Sequence, residues 1–112
     1  MRWKPKIKRT LPGEIWRVDF GLAAKVRTAL VPSDYPSDNE LALLIVIPHT
    51  TAVRGNRWEL ALPKPFLRRG VFHLQQIQPI PLVRFDVRLG ALTLNEFKKV
   101  KQTLIQLLDL LA

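Results

Sequence analysis

Residues 41–47 read LALLIVI, an unbroken apolar run entered from the turn-rich stretch PSDYPSDN and followed directly by Pro48. A run this short is far from spanning a bilayer. It lacks the alternation of a strand that is wet on one face, so it predicts a central strand buried on both faces, ended by Pro48. Such a strand needs neighbours beside it and cover above and below. The chain must supply all of these from 112 residues, a length that suits one domain.

The neighbours are legible. Residues 14–20 alternate, with Trp16, Val18 and Phe20 on one side and Arg17 and Asp19 on the other, and Gly13 turns the chain before them. Residues 26–31 predict a second strand, reached through the short loop 21–25. Residues 57–62, 71–77 and 82–89 predict further strands, with a proline-marked loop at 63–69. The cover is a C-terminal helix. Thr93 and Glu96 have the spacing of a capping box, and Leu92 and Phe97 that of a hydrophobic staple. Phe97, Val100, Leu104, Leu107, Leu108 and Leu111 form one apolar face, widened by Ile105 and Leu110, which is expected to pack into the core. The fold class is therefore mainly β (α+β), a small antiparallel barrel or roll with a C-terminal helix. Residues 1–12 carry Arg2, Lys4, Lys6, Lys8 and Arg9 without an acid and are read as a flexible basic arm, leaving 13–112 as the single domain. Pro5 and Pro12 argue against a helix in the arm.

Charge narrows the partners. Lys and Arg total 18 against 9 acids, a net charge of +9, which favours a polyanion and most simply a nucleic acid. No cysteine is present, so disulfides, thiolate nucleophiles and Cys-ligated metals are excluded. That fits a reducing cytoplasm. The first residues lack the apolar segment of a signal peptide, so a cytoplasmic protein without a membrane association is expected. No glycine-rich phosphate loop occurs, and the two histidines, His49 and His73, have no metal-ligand spacing. The chain is thus read as needing no cofactor. Metal-free RNA cleavage is compatible with this inventory. RNA brings its own nucleophile, the 2′-OH, and the protein has to supply a cation, a hydrogen-bond donor and a proton-transfer group.

Three segments resemble the MazF/PemK (Kid) toxin endoribonucleases. Residues 13–20, GEIWRVDF, look like the family's G-[DE]-[IV]-[WY]-x-[VA]-[DN]-[FL] opening. Residues 25–31, KVRTALV, look like its R-P-x-L-V element. Residues 46–51, VIPHTT, look like its V-x-P-x-T-[TS] element, and 71–77, VFHLQQI, like a later segment with an acidic-Gln pair. The resemblance implies an SH3-like barrel of the CcdB/PemK kind, a homodimer with RNA sites around its interface, and a cognate antitoxin protein that occupies the RNA groove. It implies metal-independent, sequence-specific cleavage of single-stranded RNA through 2′-OH attack. Arg27 and Thr50 would be the catalytic pair. His49, beside Thr50, offers an acid–base group near neutral pH. Lys25, Thr51, Arg54, Arg57 and Gln76 are the expected RNA contacts, with Arg54 and Arg57 flanking Gly55-Asn56 in an expected hairpin turn. Arg68 and Arg69 are secondary candidates, and Trp3 offers a ring for base stacking. The chain departs from the pattern in three places. Thr28 replaces the family proline, Ala23 and Ala24 stand in a shortened loop that lacks the family's G-x-E, and Gln75 replaces an acid. These departures set up the alternative of a non-cutting member that binds RNA or its antitoxin.

Overall fold

The apolar run does form the central strand, with shifted ends. In the computed structural model, which describes residues 9–21 and 25–111, this strand is β3, Leu43–Thr50. The others are β1 (Glu14–Asp19), β2 (Val26–Val31), β4 (Glu59–Leu60), β5 (Val71–His73), β6 (Gln78–Pro81) and β7 (Phe85–Ala91), followed by helix α1 (Leu94–Leu107). β3 starts late because Leu41 is 77% exposed and its carbonyl accepts the Leu43 N–H in a turn. It also runs past Pro48, where the sequence predicts its end. One side of β3 pairs with β2. The other pairs with β6 over Leu43 to Val46, then with β5 at His49 and Thr50. Pro48 falls where β3 leaves β6 and takes up β5, a place where a missing N–H does not interrupt a ladder.

The strands run in the order β4-β5-β3-β2-β1-β7, with β6 added on β3. All the strand pairs among the described residues are antiparallel. The fold is mainly antiparallel β with one C-terminal helix, as the sequence implies, but the sheet is open between β4 and β7. β4 has two residues, and the following loop contains Pro63 and Pro65, which cannot donate to a ladder. Side chains join that gap instead. The Phe66 ring lies on Gly90 of β7, where an added Cβ would stand 2.6 Å from the ring, and Lys64 reaches Glu96 of α1 at 2.6 Å. Two other expected strands are shortened. Residues 71–77 leave the sheet after His73 in a 3₁₀ turn over Leu74–Gln76, and residues 82–84 form a second 3₁₀ turn before β7.

Burial on both faces explains the two apolar clusters. Trp16 and Val18 of β1, Ala29 and Val31 of β2, and Leu44 and Val46 of β3 meet Ile80, Leu82 and Phe85 on one face. Ile15, Leu30 and Ile47 point to the other face and meet Phe72, Leu74, Phe97 and Val100. Each side chain of this kind, once buried, contributes about 1.5–3 kcal/mol. Helix α1 covers the second cluster. Its N-terminus is fixed by the expected box: Thr93 Oγ1 accepts the Glu96 N–H at 3.2 Å, and Glu96 Oε1 accepts the Thr93 N–H at 2.8 Å. Leu92 packs with Phe97 in the same cluster, as a staple requires. The expected apolar face is longer than the buried one. Leu104 and Leu107 still pack inward, whereas Leu108 caps the helix exposed, and Leu110 and Leu111 are exposed beyond Asp109, whose left-handed conformation (φ 53°) turns the chain away.

Of the basic arm, residues 1–8, Trp3 included, lie outside the described residues. Thr10 is fully buried, the Arg9 guanidinium stands 5.9 Å from the centre of the Tyr35 ring, and the Leu11 N–H donates to Glu14 Oε1 at 2.9 Å. The chain is thus tied to the sheet from residue 9. No helix among the described residues is long and apolar enough to cross a membrane.

Candidate functional site

Arg27 and Thr50 lie on neighbouring strands. β2 and β3 pair at Ala29↔Pro48 and Leu30↔Ile47, and Arg27 and Thr50 each lie two residues beyond the Ala29↔Pro48 pair on the same side. Both line one cavity of about 620 Å³, open at the surface, together with Thr28, His49 and Thr51. Arg27 is exposed at the start of β2 and carries a charge that no protein environment removes. Thr50 is half-buried. Its Oγ1 accepts the Ala52 N–H at 3.0 Å, which holds the rotamer and leaves the hydroxyl proton to be donated outward.

His49 is half-buried beside them. Its ring meets Phe72 edge-on, centroids 5.1 Å apart and planes at 72°. Burial lowers its pKa, so the imidazole is neutral at neutral pH. Gly70 makes this arrangement possible. A Cβ there would stand 2.2 Å from the Thr50 carbonyl oxygen and 3.0 Å from His49 Cε1, so only glycine lets β5 approach the end of β3 this closely. The loop entering β5 also brings Phe66 and Arg68 into the cavity. Its charged lining groups are then Arg27 and Arg68, and among the described residues no carboxylate lines it.

Arg27 also lines a smaller cavity of about 300 Å³, with Phe20, Pro48, Gln76 and Gln78. There Gln78 Nε2 donates to the Gln76 carbonyl at 3.0 Å. The guanidinium therefore stands between a hydroxyl- and cation-lined hollow and one walled by an aromatic ring and two amides.

The structure brings together Arg27, His49, Thr50, Thr51 and Gln76. It sets Lys25, Arg54 and Arg57 apart from these two cavities. Lys25 sits exposed in the turn from β1 to β2 in a left-handed conformation (φ 55°), its carbonyl accepting the Phe20 N–H at 2.8 Å. Ala23 and Ala24 of that turn lie outside the described residues. Arg54 and Arg57 flank a turn organised by Glu59, whose carboxylate accepts the backbone N–H groups of Arg54, Gly55 and Asn56. The Arg54 N–H bond is the largest of the effects that hold this carboxyl below the usual range. The Arg57 guanidinium lies over the Trp58 ring at 4.1 Å and faces α1 across a separate cavity of about 750 Å³. Sequence reasoning passed over Phe66, Phe20 and Gln78 and ranked Arg68 low. The one available signal was Gly70, at the end of a proline-marked loop.

Residues 11–108 match a family described as PemK-like, MazF-like toxin of type II toxin-antitoxin system. Solved structures share the fold. The MazE–MazF complex of Deinococcus radiodurans is 21% identical, with a TM-score of 0.74, covering 91% of this chain and 97% of its own. The Mycobacterium tuberculosis toxin MazF-mt6 is 20% identical with a TM-score of 0.71, covering 86% and 96%. An endoribonuclease in complex with its cognate antitoxin from a mycobacterial species is 21% identical with a TM-score of 0.75, covering 90% and 96%. Among curated proteins nothing matches.

Proposed function

The chain belongs to the PemK-like, MazF-like toxins of type II toxin-antitoxin systems, and from that premise we propose that it is a metal-independent endoribonuclease that cuts single-stranded RNA. The observation that carries this reading is that Arg27 and Thr50, from the neighbouring strands β2 and β3, line one cavity. In-line attack of a 2′-OH on the adjacent phosphate builds negative charge on the phosphoryl oxygens. A guanidinium with a bidentate fork and a hydroxyl whose proton is left to donate are suited to that charge. The products are a cyclic phosphate and a 5′-hydroxyl end. Thr51 and Arg68 hold flanking phosphates, and Gln76 beside Arg27 faces an adjoining nucleotide. The working form is a homodimer acting in the cytoplasm, and its regulator is a cognate antitoxin protein. The antitoxin-bound structures of the Deinococcus and mycobacterial relatives support that partner.

The test is cleavage of a long single-stranded RNA in EDTA by the chain and by Arg27→Ala. The wild type should cut, and the variant should lose about 10²–10³-fold in rate, the usual loss for one oxyanion donor. An intact RNA that is nevertheless bound in a salt-dependent way would make the chain a binding member of the family. Equal cutting by both proteins would misplace the site.

A further inference from the structure

The cavity that holds Arg27 and Thr50 is short of proton acceptors. Its functional side chains are two arginines, three threonines and His49, with Val26, Ala52 and Phe66 completing the wall. Arginine does not give up its proton in a protein, and a threonine hydroxyl is no base near neutral pH. Among the described residues that line it, His49 is the one group whose ordinary titration range falls there.

Its surroundings hold His49 in place for such a role. Phe72 of β5 packs edge-on against the ring, and the bare Cα of Gly70 leaves the space that Cε1 needs. The charged groups sharing the cavity with it are Arg27 from β2 and Arg68 from the loop before β5. The ring is half-buried and has no carboxylate partner among the described residues, so it enters a reaction neutral and able to accept.

We propose that His49 is the general base of the cleavage reaction, taking the 2′-OH proton while Arg27 and Thr50 hold the phosphate. This rests on the ribonuclease reading. The step balances as follows. O2′ bonds to phosphorus as its proton passes to the imidazole. The P–O5′ bond breaks, and O5′ takes a proton from water. The imidazolium returns its proton to the hydroxide so formed, and the base is regenerated without any other reactant.

The experiment follows the rate of RNA cleavage in EDTA against pH for the full chain, with His49→Gln and His49→Ala beside Arg27→Ala. A base must be neutral to act, so the wild-type rate should rise with pH through the His49 titration and then level. The midpoint of that rise should coincide with the imidazole titration followed by NMR, below that of an ordinary histidine. His49→Gln should lose about 10²–10⁴-fold in kcat, the usual contribution of a general base, with KM little changed and the acid limb gone. Added imidazole should restore part of the rate of His49→Ala. The comparison of the wild-type limb with the NMR titration needs no variant, so it stands even if removing the ring from Phe72 unfolds the chain. A wild-type profile that is flat, or displaced from the NMR midpoint, overturns the assignment. So does a folded His49 variant that cuts at the wild-type rate while Arg27→Ala does not, and in that case the ribonuclease reading survives. A wild type that cuts no RNA removes both.

Discussion

Glu14 works in three bonds at once. Oε1 accepts the Leu11 N–H at 2.9 Å and Trp16 Nε1 at 3.1 Å, while Oε2 accepts Arg88 Nε at 2.8 Å. Burial by itself pushes this carboxyl up, but the Leu11, Trp16 and Arg88 donors together outweigh burial and hold it below the usual carboxylate range. A depressed carboxyl stabilises the fold at any pH above its unfolded value, and the contribution disappears as pH falls through the folded value. Glu14→Gln should therefore lower stability at neutral pH by about 1.5–3 kcal/mol, the range for hydrogen bonds to a charged group. The loss should shrink as the solution is acidified below the ordinary carboxylate range. Urea unfolding curves of the two proteins at neutral and acid pH measure it. A penalty independent of pH would mean that the carboxylate's charge plays no part. Thr50 is a second residue with divided duties, its oxygen accepting from Ala52 while it lines the cavity with a hydroxyl proton left to donate.

The junction of β3 with β5 is the element on which the site depends. Gly70→Ala would drive a methyl to 2.2 Å from the Thr50 carbonyl, a contact neither backbone can accept without moving. The expected result is a loss of about 1–3 kcal/mol in stability, typical of overpacking, and a larger loss of RNA cleavage than the melting temperature alone explains, because Thr50 and His49 move together. Thermal melts and cleavage rates measured side by side check this, and a fully active variant would show that the approach of β5 is dispensable. β1 and the start of α1 were legible in the sequence because their signals are local, an alternating apolar pattern and a T-x-x-E box. The end of β3 was not, since Pro48 is harmless only because β3 changes partners there. The strand expected over 71–77 stops at His73 for a related reason: beyond Pro48 the same edge of β3, from Val46 back to Leu43, is already taken by β6.

The molecule as a polyanion-binding body carries +9 in 112 residues. Affinity for single-stranded RNA should fall as salt rises, and each phosphate contact contributes about −0.7 to the slope of log K against log salt. Arg68→Ala should flatten that slope by about 0.7, whereas Arg57→Ala, whose guanidinium lies on Trp58 against α1, should leave it unchanged. Binding titrations across a salt series measure both, and a flattened slope for Arg57→Ala would place RNA on the α1 face as well. Charge could be read from the sequence, and so could Arg27 and Thr50 through the family resemblance and His49 through its place beside Thr50. The separation of Arg54 and Arg57 from the site could not, because it depends on Glu59 gathering the turn and on Trp58 taking up the Arg57 guanidinium, both consequences of the folded loop.

The sheet closes its order with the last strand on the first. β7 pairs with β1 from Glu14↔Ala91 to Val18↔Phe85, the Leu92 N–H donates to the Gly13 carbonyl at 2.9 Å, and only then does α1 settle over Ile15, Leu30 and Ile47. A ribosome makes the chain from the other direction, β1 first. While β7 and α1 are still in its exit path, β1 has an empty edge and one face of the sheet has no roof. On the proposed ribonuclease reading, the nascent chain would thus stay inert until its last strand and helix have emerged and folded onto the first.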